Sequence, residues 1–389
     1  MKISALNEKG QSVDYWFIYK VPKLTDTKDN KGKNTASGYE YLYYDPVVGK
    51  AAKSDNNLRQ DKGALHFTLD SVFKNPGATT GWILYNDEKP ADAGGGKDNG
   101  ELGHTKGVLA FDTQTDTAYW LLHSWPKYAD PDSETMPTPM FGQTFLCLSL
   151  DVATVRQIAV QMATYQQPQI YLPHIPASIS KNDPLYDLSL PLSQTVPGGT
   201  NIINGKTKGG LSFKVIAKNR EWGRDFWNDL VGPTLGDDMD VDTWIRGPVA
   251  PNIDSDGIHK TFDIKFVDLR KFVGWAWPET KDHAKWGITR NDGAKSPWVC
   301  VGDINRMVSQ EKRGGGTIAF QDKALWQVLK TSDYIIPPPG FDKVSTKAML
   351  KETHSKKAKP EQEKIFTDKE KAAALKTPAK KGKVVKPKK

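Results

Sequence analysis

Apolar and polar positions change period several times along the chain, and each change marks an element. "VDYWFIYKVP" (13–22) and "GWILYND" (81–87) are rich in aromatic and β-branched residues and bounded by turn formers, so each predicts a strand. The Lys-, Asp- and Asn-rich stretch between them reads as polar loop. "GVLAFD" and "AYWLLHS", joined through "TQTDT", predict a hairpin, and "TFLCLSL" predicts a buried strand. "DVATVRQIAVQMATYQQ" has helical spacing, with Asp151 placed to cap it. Pro- and Gly-rich text over 168–210 suggests a boundary.

The second half repeats this grammar. "LSFKVIAKN" and "TFDIKFVDL" predict strands, and "EWGRDFWNDLV" a helix. "AKWGIT" and "PWVCVGD" flank a turn, "RNDGAKS", and "GTIAF" leads into a helix, "DKALWQVLKT". After "YIIPPPG" the chain is rich in Lys, Glu, Ala and Pro with little apolar period. It reads as a basic tail with at most one frayed helix near 361–376.

One detail of the repeat carries chemistry. His104-Thr105-Lys106 opens the apolar run that reaches Trp120, and His283-Ala284-Lys285 opens the run that reaches Trp298. Each unit continues as strand, polar turn, Trp-centred strand and polar cluster. Two similar halves, 1–200 and 201–340, followed by a Lys-rich tail over 341–389, predict a pseudo-two-fold molecule with one site at the joint. In a strand, residues i and i+2 face the same way, so His-x-Lys aims an imidazole and an ammonium at one point. Two such units around one cavity suit a phosphate diester. One neutral imidazole attacks phosphorus and the other, protonated, supplies the leaving alkoxide with a proton. The lysines, with an amide such as Asn305, stabilise the non-bridging oxygens. On this reading the cations are side chains, and neither metal nor cofactor is expected.

Charge and composition refine the picture. The net charge is +8, but residues 341–389 hold 16 lysines against 6 acidic residues, which leaves the rest at −2. The body is therefore near neutral, and phosphate recognition there must be local. The tail, in contrast, has the composition of a non-specific DNA contact. Hydrophobic content of 38% supports a real core, and no apolar run is long enough to cross a membrane. The start lacks the apolar segment of a signal peptide, which leaves a cytoplasmic protein or a trimmed exported one. Cys147 and Cys300 lie in apolar strand-like runs and read as buried thiols.

Other motifs are weaker. "NIDSDGIHKTFD" (252–263) has the opening of a calcium loop without flanking helices and reads as a polar turn. "LGDDMDVD" (235–242) reads as a solvated acidic loop, and "AGGGKDNG" (93–100) as a loop leading into His104. In "EKRGGGT" (311–317), Arg313 is a candidate to hold a backbone phosphate. His174 and His259 read as structural, and Trp120 and Trp298 as core.

The strings "SVDYWFIYKVPK", "ILYND", "LGHTKGVLAFD", "WLLHSWP", "FGQTFLCLS", "DHAKWGI" and "PWVCVGDINRMVSQEKRGGGT" together resemble the deoxyribonuclease II family over residues 11–335. The resemblance implies an α/β, phospholipase D-like mixed-sheet sandwich whose two pseudo-symmetric halves share one active site. It implies metal-independent cleavage of DNA, best in acid, to 3′-phosphate and 5′-hydroxyl ends. His104, Lys106, His283 and Lys285 then look like the catalytic pairs, with His123 of "HSWP" and Asn305 of "GDIN" beside them. Asn86 of "YND" looks like the first-half counterpart of Asn305 and, with Arg313, a substrate contact. The sequence departs from animal members in its cysteines, since Cys147 and Cys300 lack the expected partners and Ala319 stands in "GGGTIA". DNA, bound through phosphates with little base specificity, is the implied partner, with no membrane and with room for a homo-oligomer. The alternatives are a phospholipase D-type hydrolase of another diester and a non-catalytic DNA-binding protein that works through its tail.

Overall fold

The computed structural model describes residues 2–25, 35–90, 100–129, 136–192, 197–249, 258–290, 296–330 and 332–334. It is a mixed α/β protein built on two large sheets. The first contains β1 (Tyr15–Lys20), β2 (Tyr41–Tyr44), β3 (Ala52–Lys53), β4 (Thr80–Asn86), β5 (Lys106–Asp112), β6 (Thr117–His123), β7 (Gln143–Leu150) and β8 (Ile170–His174). Its order is β3-β2-β1-β7-β6-β5-β4-β8. The second contains β9 (Thr200–Lys206), β10 (Ser212–Lys218), β11 (Met239–Asp242), β12 (Thr261–Asp263), β15 (Trp286–Thr289), β16 (Trp298–Gly302) and β17 (Gly315–Gln321), in the order β12-β11-β15-β16-β17-β10-β9. A small sheet joins β13 (Phe266–Asp268), β14 (Ala276–Pro278) and β18 (Asp333–Tyr334).

The five-strand run β1-β7-β6-β5-β4 of the first sheet has its match in β10-β17-β16-β15-β11 of the second. Both runs are antiparallel throughout and are met in the same chain order. Each leads from its last strand in chain order into a helix, Val152–Gln161 after β7 and Lys323–Lys330 after β17.

The sheets face each other. Alternate residues of β1, Tyr15, Phe17 and Tyr19, share one buried cluster with Trp120, Leu146, Leu148, Trp286, Ile288, Val301, Ile318 and Phe320, so the main core lies between the sheets. The other face of the first sheet, with Trp16, Ile18, Tyr119, Phe145 and Cys147, packs under the helix Ala64–Phe73. The other face of the second, with Met239, Val241, Cys300 and Ala319, packs under Phe226–Val231. Cys147 and Cys300 are buried free thiols, and Ala319 is the strand partner of Cys300. Trp120 is core, whereas Trp298 is half-buried beneath Lys214. Among the described residues no helix is long and apolar enough to cross a membrane.

Asp151 caps its helix as expected, accepting the Thr154 N–H at 2.7 Å. Four expectations need correction. The stretch read as loop between the first two strands contains β2 and the helix Ala64–Phe73. "EWGRDFWNDLV" is broken, because Gly223 at φ 68° ends a 3-10 turn before a π-helical turn, Trp227–Val231. "TFDIKFVDL" is two strands in different sheets, with Ile264 between them delivered to the core. The supposed solvated acidic loop holds β11, in which Asp240 and Asp242 are fully buried. Distant residues make that burial affordable: Arg290 and Lys330 pair with Asp240, and Tyr19 meets Asp242. The tail over 341–389, the glycine-rich loop over 93–99 and the first half of the calcium-like stretch lie outside the described residues.

Candidate active site

The sheet match brings the two His-x-Lys units together. Lys106 is the first residue of β5, and Lys285 immediately precedes β15. The His104 N–H donates to the carbonyl of Gly314, the residue just before β17, at 2.9 Å. The His283 N–H donates to the carbonyl of Gly142, the residue just before β7, also at 2.9 Å. His104 Nδ1 lies 2.6 Å from the carbonyl of Asp303, one residue past β16, and His283 Nδ1 lies 3.1 Å from the carbonyl of Ser124, one residue past β6. Each histidine is thus held twice, once by its backbone N–H and once by its ring, at equivalent positions of the opposite sheet. A carbonyl can only accept, so Nδ1 of His104 is set to donate to Asp303; Nδ1 of His283 has two neighbours, the Ser124 carbonyl and Lys285 Nζ, and a proton on it excludes donation from that ammonium.

Within each unit, imidazole and ammonium point the same way. His104 Nε2 is 3.4 Å from Asp87 Oδ2, and Lys106 pairs with the other oxygen of that carboxylate. Lys285 Nζ lies 3.0 Å from His283 Nδ1 and donates to the His283 carbonyl at 2.6 Å. Asp87 follows Asn86 at the end of β4, and Trp244 lies close to the end of β11. The His283 ring packs edge-on against Trp244, 5.0 Å between centroids.

The electrostatics follow from burial of many cations together. Burial, with Lys106, Lys285 and Arg313, holds His104 well below the usual imidazole range, and burial with Lys285, Lys106 and His104 does the same to His283. Burial and Lys106 push Lys285 well down. Burial would raise Asp87, but Lys106, Arg313 and Lys285 draw it below its ordinary value. Both imidazoles are therefore held toward the neutral form and Asp87 toward the anion, beside Lys106, Lys285 and Arg313.

The remaining candidates are arranged around this pair. His123, the last residue of β6, is buried; its Nδ1 accepts the Trp125 N–H at 3.2 Å, and burial with Lys106 lowers it to about 3. Its Nε2 is buried without a hydrogen-bond partner among the described residues. Asn305 accepts the Trp244 N–H at 3.1 Å and so sets the loop beside His283. Asn86 donates to the carbonyls of Trp125 and Tyr128 at 3.2 and 2.6 Å, tying two loops together. Arg313 is buried, with Nε donating to the Leu102 carbonyl at 2.6 Å and its guanidinium 3.9 Å from Asp87. In this state Asn86 and Arg313 are turned toward backbone rather than presented at a surface.

The second wall contains a buried acid pair. The Tyr19 hydroxyl lies 3.0 Å from Asp242 and 2.6 Å from Asp282, and accepts from Trp286 Nε1 at 3.0 Å. One hydroxyl proton cannot serve two carboxylates, so one carboxyl carries its own. Asp282 also accepts from Trp277 Nε1 and from the Ala284 N–H, which marks it as the anion and Asp242 as the acid. Burial and the neighbouring Asp282 push Asp242 well up, in agreement.

Comparison with known proteins decides the family. The deoxyribonuclease II model matches residues 4–336. The chain belongs to the deoxyribonuclease II family. It is therefore a nuclease of the hydrolase class. A Burkholderia pseudomallei (strain 1710b) protein named "Putative deoxyribonuclease-2" is 60% identical over 355 residues, covering 91% of this chain and 99% of that protein. Plancitoxin-1 of Acanthaster planci is 32% identical over 82% of this chain and 88% of its own length. Deoxyribonuclease-2-alpha of Rattus norvegicus is 28% identical over 85% and 92%. The family match covers both His-x-Lys units and stops short of the Lys-rich tail.

Sequence reasoning named the two units and missed the residues that hold them. Asp87, Ser124, Asp303, Gly142 and Gly314 had no signal of their own, because three act through backbone carbonyls and Asp303 chiefly so. Asp87 stood next to the chosen Asn86.

Proposed function

We propose that this family member is an endodeoxyribonuclease that hydrolyses DNA phosphodiesters without a metal, in acid, through a phosphohistidine, to 3′-phosphate and 5′-hydroxyl ends. The body is read as two pseudo-symmetric, phospholipase D-like halves, 1–200 and 201–340, that build one site, with 341–389 as a basic tail that concentrates DNA. The carrying observation is the reciprocal hold on the two imidazoles, whose Nδ1 atoms are bound by carbonyls of the opposite sheet. Lys106 and Lys285 lie beside both rings, and Arg313 beside His104.

One Nε2 attacks phosphorus, and the bond to the 5′ oxygen breaks as the second imidazole, loaded with a proton, gives it to the leaving alkoxide. The second imidazole, now neutral, takes a proton from water, whose oxygen displaces the first imidazole and frees the 3′-phosphate. Lys106 and Lys285 stabilise the equatorial oxygens, with Arg313 adding charge from behind Asp87. Burial and the neighbouring lysines hold both imidazoles toward the neutral form, so the required proton enters more readily as pH falls and as the phosphate arrives. Substrate contacts go to phosphate, which gives little base specificity.

The test is plasmid nicking in EDTA from pH 4 to 9, with wild type beside His104→Ala and His283→Ala. Cleavage in acid that both variants lose supports the reading, and 3′-phosphate ends support the polarity. Wild type that cuts only with added metal, or not at all, overturns it.

A further inference from the structure

Two lysines that end matched strands each meet three backbone carbonyls. Lys20, the last residue of β1, is buried and donates to the carbonyls of Val21, Pro139 and Phe141 at 3.0, 3.1 and 2.7 Å. Lys218, the last residue of β10, is buried and donates to the carbonyls of Gln310, Glu311 and Arg313 at 3.0, 2.9 and 2.5 Å. An ammonium has three N–H donors, and each lysine meets three acceptors. Among the described residues neither makes a salt bridge. A buried charge satisfied only by backbone is costly, and an apolar side chain there would be cheaper to fold.

The clamped loops lead to the site. Phe141 is followed by Gly142, whose carbonyl takes the His283 N–H, and Arg313 is followed by Gly314, whose carbonyl takes the His104 N–H. Lys20 of the first sheet thus sets the seat of the second sheet's histidine, and Lys218 the reverse.

We propose that Lys20 and Lys218 are a duplicated pair of positioning residues, each fixing through its loop the backbone from which one catalytic imidazole projects, and each able to do so only as an ammonium ion. This rests on the reading of His104 and His283 as the catalytic pair. A neutral amine has two donors and a lone pair, so one of its three carbonyls would then face that lone pair. Burial lowers both lysines to about 7. The charged groups facing Lys20 are Asp282 and Glu40, which hold its proton, and the Trp125 ring lies 5.2 Å away. Those facing Lys218 are Glu311 and Asp225, which hold its proton, and Arg313, which opposes it. The sign is therefore fixed: both clamps are closed in acid and loosen as pH rises through neutrality, which adds a second cause of alkaline inactivation.

The test uses the full chain with Lys20→Met, Lys218→Met and the two Lys→Arg counterparts. It measures kcat and KM on plasmid in EDTA from pH 4 to 9, and amide hydrogen-exchange protection at His104 and His283. Each Met variant is expected to keep the wild-type circular dichroism and lose on the order of 10²-fold in kcat at pH 5, with KM nearly unchanged, as for a misplaced catalytic group. Its activity should no longer fall as steeply between pH 6 and 8, while the Arg variants retain more kcat there than the Met variants. Protection should drop at His283 alone in Lys20→Met and at His104 alone in Lys218→Met. That crossed pattern cannot come from general loosening. Wild-type kcat and pH profile in the Met variants, or protection lost at both histidines in each, would overturn the proposal. Should wild type fail to cleave DNA, the proposed function falls, and the exchange pattern still decides the clamps.

Discussion

His104 and Asp303 belong to different sheets, yet the imidazole Nδ1 of one lies 2.6 Å from the carbonyl oxygen of the other. Ser124 holds His283 in the same way. The proposed mechanism uses both rings in one step, so losses at them should not add. His104→Ala and His283→Ala are each expected to lower kcat by about 10²–10⁴-fold, and the double variant should be no more than slightly worse than the weaker single. Rates at pH 5 for the three variants check this, and a double variant that multiplies the single losses would refute it.

Asp87 pairs with Lys106 and approaches His104 Nε2 in a buried site. Asp87→Asn leaves the Lys106 ammonium without its anion, a change that costs about 3–5 kcal/mol when a buried pair is broken. The variant should melt at lower temperature than wild type, and inorganic phosphate should recover more of that loss in the variant than it adds to wild type. Thermal melts with and without phosphate read the difference.

His123 is buried and lowered to about 3 by its burial and by Lys106. Its ring should give the chemical shifts of a neutral imidazole from pH 4.5 to 8. The stability consequence has a definite sign. The unfolded chain takes up this proton below about 6.5 and the folded one does not, so the contribution is full above that value and shrinks as pH falls toward 3. Relative to wild type, His123→Phe should gain on the order of 2 kcal/mol between pH 7.5 and 4.5. Denaturant curves at the two pH values test it, and a constant offset would contradict the assignment.

Asp242 carries the shared proton beneath the second unit and Asp282 the charge, by hydrogen count at Tyr19. Asp242→Asn keeps a donor toward the Tyr19 oxygen and should be tolerated within about 1 kcal/mol. Asp282→Asn removes the acceptor of Tyr19, Trp277 and the Ala284 N–H, and should cost several-fold more in stability and most of the activity. Equal effects in the two variants would argue against a localised proton.

Much of this protein was legible in its residues. The strands that carry the site, β1, β4 to β7, β10 and β15 to β17, announce themselves by dense aromatic and β-branched runs. The repeated His-x-Lys pointed to one shared site because the spacing is local and strand geometry gives it a direction. Only long-range contacts could recover the rest. β11 is four residues with two aspartates, and nothing local says that Arg290, Lys330 and Tyr19 will meet them. β2 and the helix Ala64–Phe73 are short apolar pieces inside polar text; β2 is held by pairing with β1, and the helix by the face of the first sheet it covers.

The sequence by itself singled out the side chains proposed for the chemistry, since imidazole and ammonium groups are fixed by residue type and paired by two-residue spacing. The tertiary structure alone decided how they are held. The seats of His104 and His283 are carbonyls of Gly314, Asp303, Gly142 and Ser124, supplied by the opposite sheet. Every residue owns such a carbonyl, so its use leaves no mark in composition or pattern, and it acquires a role only when folding sets it within 3 Å or so of a donor.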